Sequence, residues 1–67
     1  MRLKDLREDN NLTQKDVAKH LNIKQNTYSQ YESEKRQIPL SSLIALARFY
    51  NTSTDYILGL TDVDKPY

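Results

Sequence analysis

The chain is 67 residues long and contains no cysteine, so it fits one small domain with neither a disulfide framework nor a thiolate metal site. Ten Lys and Arg oppose nine Asp and Glu, and this net charge of +1 neither requires nor excludes a nucleic-acid partner. Met1 is followed by charged residues, and no apolar run approaches the length that spans a bilayer, so we expect a soluble, cytoplasmic protein with no membrane partner.

The N-terminal part of the chain predicts two helices joined by an asparagine corner. Leu3 and Leu6 lie three residues apart and give the first helix a buried stripe. Asn10-Asn11 supplies a corner that tolerates left-handed backbone. Thr13 is expected to cap the second helix, with Asp16 completing a capping box.

A turn at Asn22 is predicted to separate the second helix, which ends at about Leu21, from a third helix over roughly residues 25–33. Asparagine suits the turn because it tolerates positive φ next best after glycine. Tyr28 and Tyr31 recur three apart and are predicted to lie in the core rather than to stack on bases.

The remaining face of the third helix carries amides and hydroxyls instead of charges. Such a face is unusual for a solvated surface but suits one that reads base edges, because bidentate amides pair with adenine in the major groove. The alternative is an ordinary polar solvent face. The candidate base-contacting residues are Gln25, Asn26, Ser29 and Gln30.

Basic residues frame this helix. Between Val17 and Tyr31 there are two lysines and no acid, whereas the last third of the chain is mainly acidic. Contacts to phosphates would carry the salt-dependent, sequence-independent part of DNA binding. A solvated surface is the alternative for any single lysine. The candidate phosphate contacts around the helix are Lys24, Thr27, Lys35, Arg36 and Gln37.

The C-terminal half predicts a loop and two more helices. The segment Glu34–Pro39 lacks periodicity and ends in a proline that can open a helix. Ser53 is expected to cap a short fifth helix, which Gly59 ends. The fourth helix starts at about Leu40, and its broad apolar face comprises Leu43, Ile44, Leu46, Ala47 and Tyr50.

These elements predict an all-α fold of five helices. Residues 1–60 are expected to form the domain, and residues 61–67, which have no apolar face, a C-terminal tail or the start of a linker.

Taken together, these residues resemble the phage-repressor and Cro-type helix-turn-helix domains of the XRE family. The resemblance extends over about residues 2–61 and implies a compact five-helix, lambda-repressor-like DNA-binding domain. Two departures are Asn22, in place of the family's turn glycine, and Ser33-Glu34, in place of its common Asn-Gly. The residues at the family's spacing are Leu12-Thr13-Gln14, Val17-Ala18, Leu21, Ile23, Tyr28, Tyr31-Glu32, Ile38-Pro39, Leu43, Leu46-Ala47, Tyr50, Ser53 and 55–59.

The resemblance also implies roles for individual residues. The third helix would be the recognition helix, and Gln14, at the start of the second, would contact a phosphate and buttress Gln25. Arg7 and Glu32 match the positions of a partly buried ion pair that ties the first helix to the end of the recognition helix.

We therefore expect a sequence-specific regulator of transcription that binds double-stranded DNA, and more narrowly a repressor that binds a pseudo-palindromic operator as a homodimer. One recognition helix covers too few base pairs to be selective. The fifth helix and the residues after it offer more apolar side chains than so small a core can hold. The predicted dimer interface consists of Tyr56, Ile57, Leu58 and Leu60.

Other function classes find less support in the sequence. The chain offers no nucleophile, base or metal set, so no enzymatic activity, cofactor, metal or small-molecule ligand is expected. The alternative to DNA binding is the same fold used as a protein-interaction module, antitoxin-like or an adaptor. A large uncovered apolar patch would favour that alternative.

Overall fold

The computed structural model describes residues 1–66, and the five helices in this range confirm the predicted all-α class. Tyr67, the last residue of the predicted tail, lies outside the described residues. No helix in the described range is long and apolar enough to cross a membrane. The helices are α1 (Leu3–Asp9), α2 (Gln14–Leu21), α3 (Gln25–Glu32), α4 (Leu40–Phe49) and α5 (Thr54–Leu58).

The start of α2 is fixed by the predicted capping box. Thr13 Oγ1 accepts a hydrogen bond from the Asp16 amide at 3.1 Å, and Asp16 Oδ2 accepts one from the Thr13 amide at 2.8 Å. The two reciprocal bonds satisfy N–H groups that a helix start otherwise leaves unpaired. They also hold the pKa of the Asp16 carboxyl below its usual value. At α5, Ser53 Oγ likewise accepts from the Tyr56 amide at 3.0 Å, as predicted.

At several corners asparagine adopts the left-handed backbone conformation that glycine commonly adopts. Asn11, Asn22 and Asn51 adopt left-handed backbone with φ between 54° and 57°, and Gly59 ends α5 with φ 84°. Asparagine visits this region at a smaller cost than most residues. Glu34, with φ 61°, has no such advantage, so this position after α3 is strained.

The core lies where α2 and α3 cross, covered by α1, α4 and α5. Tyr28 and Tyr31 are buried, which confirms that they are core residues. Ile44 was predicted on the buried face of α4, but it is 38% exposed, so this part of the prediction is wrong. The buried apolar residues are Leu3, Val17, Ala18, Tyr28, Tyr31, Ile38, Leu43, Leu46, Ala47 and Ile57.

Arg2 ties the two ends of the domain together. Its Nη1 donates to the carbonyl oxygens of Tyr56 and Thr61, both at 2.6 Å, and its Nη2 donates to Asp62 Oδ1 at 2.7 Å. The guanidinium also lies over the Tyr56 ring, 4.2 Å from its centroid, and the Arg2 amide donates to the Ile57 carbonyl. The start of the predicted tail is therefore held against α1.

Candidate nucleic-acid interface

The first residues of α2 and α3 meet in one shallow depression of the surface. Its lining includes Gln14 from α2 and Gln25, Asn26 and Ser29 from α3. Gln25 and Asn26 are exposed, and Ser29 is half-buried. The structure thus brings together three of the four candidate base contacts and one candidate phosphate contact. Gln30, the fourth base candidate, is half-buried and lies outside the depression.

The N-terminal end of α3 has unsatisfied polar groups. Lys24 occupies the N-cap position with extended backbone, but its side chain makes no capping hydrogen bond, and the first turn contains no acid. Within residues 1–66, the side chains of Gln25 and Asn26 make no hydrogen bond to another residue. The uncharged hydrogen-bond donors and acceptors of these two amides are therefore exposed and unpaired.

The candidate phosphate contacts flank α3 on both sides. Lys24 precedes the helix, and the exposed Lys35, Arg36 and Gln37 follow it. The Arg36 amide donates to the Gln30 carbonyl at 3.3 Å, which folds the loop back toward α3. Across the described part of the chain, the three cationic side chains among them form no ion pair. Thr27, the remaining candidate, is half-buried within α3.

The predicted Arg7 and Glu32 lie together at the C-terminal end of α3. Arg7 Nε donates to Glu32 Oε2 at 2.6 Å, and Arg7 Nη2 donates to Oε1 at 3.2 Å. The Glu32 side chain is only 5% exposed. Gln14 Nε2 donates to the same Oε1 at 3.3 Å, a contact the sequence did not predict.

This network determines the charge state of its members. Burial alone would raise the pKa of Glu32, but the hydrogen bond from Arg7, aided by Tyr28 and Gln14, brings it below its usual value. Glu32 in turn raises the pKa of Arg7. Burial, with the neighbouring carboxylate, raises the pKa of the Tyr28 hydroxyl, although that hydroxyl makes no hydrogen bond of standard geometry to any of residues 1–66. Burial also raises the pKa of Tyr50 to about 12. Glu32 is therefore a carboxylate at neutral pH.

The predicted dimer residues do not form one surface. Ile57 is fully buried in the domain's own core, so the prediction is wrong for this residue. Tyr56 is half-buried with its ring beneath Arg2. Leu58 and Leu60 are 42% and 74% exposed and remain available to a partner. Consecutive residues of a helix point about 100° apart, which explains why residues 56 to 58 diverge.

Sequence reasoning missed several contacts and exposed side chains. His20 is exposed, and its ring stacks on Phe49 with centroids 4.1 Å apart. Leu40 is 69% exposed and shares a groove with Met1 and Leu58. The contacts join residues far apart in the sequence, where no local spacing signals a pair.

Comparison with known proteins identifies the family that the chain resembles. A family model described as helix-turn-helix matches residues 3–57. The uncharacterized HTH-type transcriptional regulator YobD of Bacillus subtilis (strain 168) is 45% identical over 65 residues, which cover 97% of this chain and 58% of that protein. The HTH-type transcriptional regulator ImmR of the same organism is 44% identical over 64 residues, covering 96% of this chain and 50% of that protein. No solved structure gives a significant match.

The chain thus spans about half the length of the curated relatives it matches. Because the family model covers most of the chain, and because the α2–turn–α3 unit carries the expected capping box and left-handed turn, the chain belongs to the XRE-type helix-turn-helix family.

Proposed function

We propose that this chain is the DNA-binding domain of a transcriptional regulator and that it recognises a specific double-stranded sequence. The observation that carries the proposal is the uncharged first turn of α3, where Gln25 and Asn26 are exposed without protein partners. Side-chain amides present a donor and an acceptor together, which matches the major-groove edge of adenine. The names of YobD and ImmR support a role in transcription.

The charges around α3 support the same proposal. An eight-residue helix is about 12 Å long, comparable with the width of the major groove. Lys24 at one end of α3, and Lys35 and Arg36 beyond the other, would contact the phosphates that border the groove. These contacts supply affinity and register, whereas the amides supply base preference.

We further infer that the domain acts as a homodimeric repressor in the cytoplasm. One short helix reads few base pairs, and a second copy about 34 Å away along one face of the DNA would double the site. Leu58 and Leu60 are the exposed apolar side chains at the predicted interface. Two leucines make a small contact, so the dimer should form fully only on its operator. Repression requires only that the protein occupy a promoter.

Selection from a random DNA pool, followed by affinity measurements, tests base reading. Gln25→Ala should weaken binding to the selected site by about 1–3 kcal/mol and change binding to random DNA little. Ser41→Ala, at an exposed position of α4, serves as the control and should change neither. Equal losses on selected and random DNA would remove the base-reading role from Gln25.

The dimer is tested by sedimentation of the free protein and by its stoichiometry on the selected operator. Leu60→Asp should abolish binding of two copies, because a carboxylate would be buried in an apolar contact. Phe49→Asp, at an exposed apolar position beside His20, is the control. Tight, selective binding of one copy per site would exclude the dimer.

A further inference from the structure

We propose that a shallow depression between α1 and α3 binds a DNA phosphate and that Lys4 is its cationic contact. The inference rests on the proposed function and deepens it, because it adds a contact from α1, a helix for which the sequence predicts no contact with DNA. The residues that line this α1–α3 depression are Lys4, Arg7, Gln14, Ser29, Glu32 and Ser33.

The α1–α3 depression adjoins the proposed base-reading surface. Gln14 and Ser29 line both this depression and the neighbouring one, which also contains Gln25 and Asn26. Gln25, Ser29 and Ser33 follow each other at intervals of four residues and therefore lie in one row along α3. The row leads from the first turn of the recognition helix into the α1–α3 depression.

The same DNA strand that Gln14 would contact offers a phosphate to Lys4. Gln14, at the first position of α2, is the candidate contact for one phosphate. Each strand of a duplex carries a phosphate about every 3.4 Å along the helix axis, so another phosphate of the same strand lies close by. Lys4 shares the depression with Gln14, and a lysine ammonium on its flexible stem adjusts easily to such an anion. A strand bound at Gln14 therefore brings a second phosphate to the depression.

Lys4 supplies the net positive charge of the depression. Arg7 Nε donates to Glu32 Oε2 at 2.6 Å, so the charges of these two lining residues balance each other. Lys4 is exposed, and within residues 1–66 its ammonium group forms neither an ion pair nor a hydrogen bond. Glu8, about one turn further along α1, does not pair with it, and a lysine that precedes a glutamate by four residues is the less favourable order. An anion bound here would therefore not have to displace a partner of Lys4.

Two serine hydroxyls add neutral donors to the depression. The Ser29 hydroxyl forms no hydrogen bond to another of residues 1–66. Ser33 Oγ donates to the Gln30 carbonyl, but the 3.3 Å separation is long for a bond from a hydroxyl, so a stronger acceptor can take its place. Phosphate oxygens accept from lysine and serine alike, and ionised acceptors form the shorter and stronger bonds. The depression thus combines one unpaired cation with two hydroxyl donors, which suits a phosphodiester.

An ordinary solvated lysine is the alternative for Lys4, and Lys19 provides the matched control. Lys19 is exposed on α2 and lines neither depression. Replacing either lysine by alanine changes the net charge equally, so the general attraction to DNA changes by a similar amount. A contact to a phosphate also releases counterions, and its loss lowers the slope of log K against log salt by about one. The two variants therefore separate a phosphate contact from charge alone.

Affinities for the selected operator and for random DNA are measured over a series of salt concentrations, after circular dichroism has shown that each variant is folded. Lys4→Ala should reduce the slope by about one and weaken binding to both DNAs by about five- to tenfold at about 0.1 M salt. Lys4→Arg keeps the charge and should keep the slope. Lys19→Ala should stay close to the wild type. An unchanged slope in Lys4→Ala, or an equal reduction in Lys19→Ala, would overturn the proposal.

Operators that carry one uncharged methylphosphonate locate the contacted phosphate. Each backbone position of the selected operator is replaced in turn, and binding of the wild type is compared with binding of Lys4→Ala. At one position per bound copy, the replacement should weaken wild-type binding by about five- to tenfold and cause no further loss in Lys4→Ala. That position should lie on the same strand as the one whose replacement causes no further loss in Gln14→Ala. Additive losses at every position, or a position on the other strand, would overturn the proposal.

Failure of the proposed function would look different from failure of this contact. A wild-type protein that binds no DNA and selects no sequence from the random pool would reject the proposed function, and the phosphate site with it. A protein that selects a site, and whose salt dependence is the same in Lys4→Ala, would reject only the phosphate site.

Discussion

The two ends of α3 differ in almost every respect. At the N-terminal end, Gln25 and Asn26 are exposed, and Lys24 provides no side-chain cap. At the C-terminal end, the Glu32 side chain is only 5% exposed and accepts hydrogen bonds from Arg7 and Gln14. A helix that is fixed at one end can leave polar groups unpaired at the other without losing its orientation. Under the proposed function, recognition belongs to one end of this short helix and stability to the other.

The start of α2 sharpens this contrast. It has a complete capping box, although α2 and α3 are the same length and pack against each other. α1 and α4 also begin without a side-chain cap, whereas α5, like α2, has one. Free N–H groups at the start of α3 remain available to an anion such as a DNA phosphate.

The largest effect is expected at the buried end of α3. Arg7→Met or Glu32→Leu should each lower the free energy of unfolding by about 3–5 kcal/mol, because each leaves a partner charge buried and unpaired. The loss of free energy of unfolding in the double mutant should be much smaller than the sum of the two single losses. Denaturant melts of the three variants measure this coupling. Small, additive losses would show that the two side chains do not depend on each other.

A second effect at the same end is a loss of stability at low pH. The pKa of Glu32 is lowered in the folded state, so the unfolded state binds more protons between the two pKa values, and stability rises with pH there. The contribution is complete above the unfolded value of about 4.3 and is lost as pH falls through the folded one. The free energy of unfolding, measured by urea melts across this pH range, should rise more steeply with pH in the wild type than in Glu32→Gln. Asp16, whose pKa is lowered too, acts in the same direction, so Asp16→Asn is measured alongside. Identical pH slopes in the wild type and Glu32→Gln would contradict the assignment.

The capping box of α2 should be worth less. Thr13→Ala removes the acceptor for the Asp16 amide and is expected to destabilise the domain by about 1 kcal/mol. Thr13→Ser keeps the acceptor and should recover most of the loss. Thermal melts compare the two variants, and equal melting temperatures for Thr13→Ala and the wild type would show that the cap contributes nothing.

The smallest effect on stability is expected at the open end of α3. Lys24→Ser supplies the missing cap and should stabilise the domain by about 0.5–1 kcal/mol. It should also weaken DNA binding on all sequences and reduce the slope of log K against log salt by about one, because one phosphate contact is lost. Lys24→Ala removes the charge without adding a cap, so it separates the two effects. If Lys24→Ser binds DNA as tightly as the wild type, the open end is not part of the interface.

The sequence predicted those features that depend on neighbouring residues. The capping box at Thr13, the left-handed Asn22 and the cap at Ser53 are local signals, and all three were confirmed. The spacing of Tyr28 and Tyr31 also identified core residues correctly.

Contacts set by tertiary packing could not be predicted in this way. The hydrogen bond from Gln14 to Glu32, and the stacking of His20 on Phe49, depend on which helix faces cross, and no short spacing encodes that. The error at Ile57 had a simpler cause, since adjacent helical residues cannot all face one partner. Part of the missed information was thus in the sequence.

The contacts of Arg2 have a consequence for folding kinetics. They join residues that are 54 to 60 positions apart, nearly the whole chain, whereas a helical domain otherwise forms mainly local contacts. Closing so long a loop carries a high entropic cost until the intervening helices are in place, so this seam should form after the transition state. Stopped-flow measurements on Arg2→Ala should then find faster unfolding and a nearly unchanged folding rate. The lifetime of the folded domain, rather than the speed with which it forms, would depend on the residue beside its N-terminus.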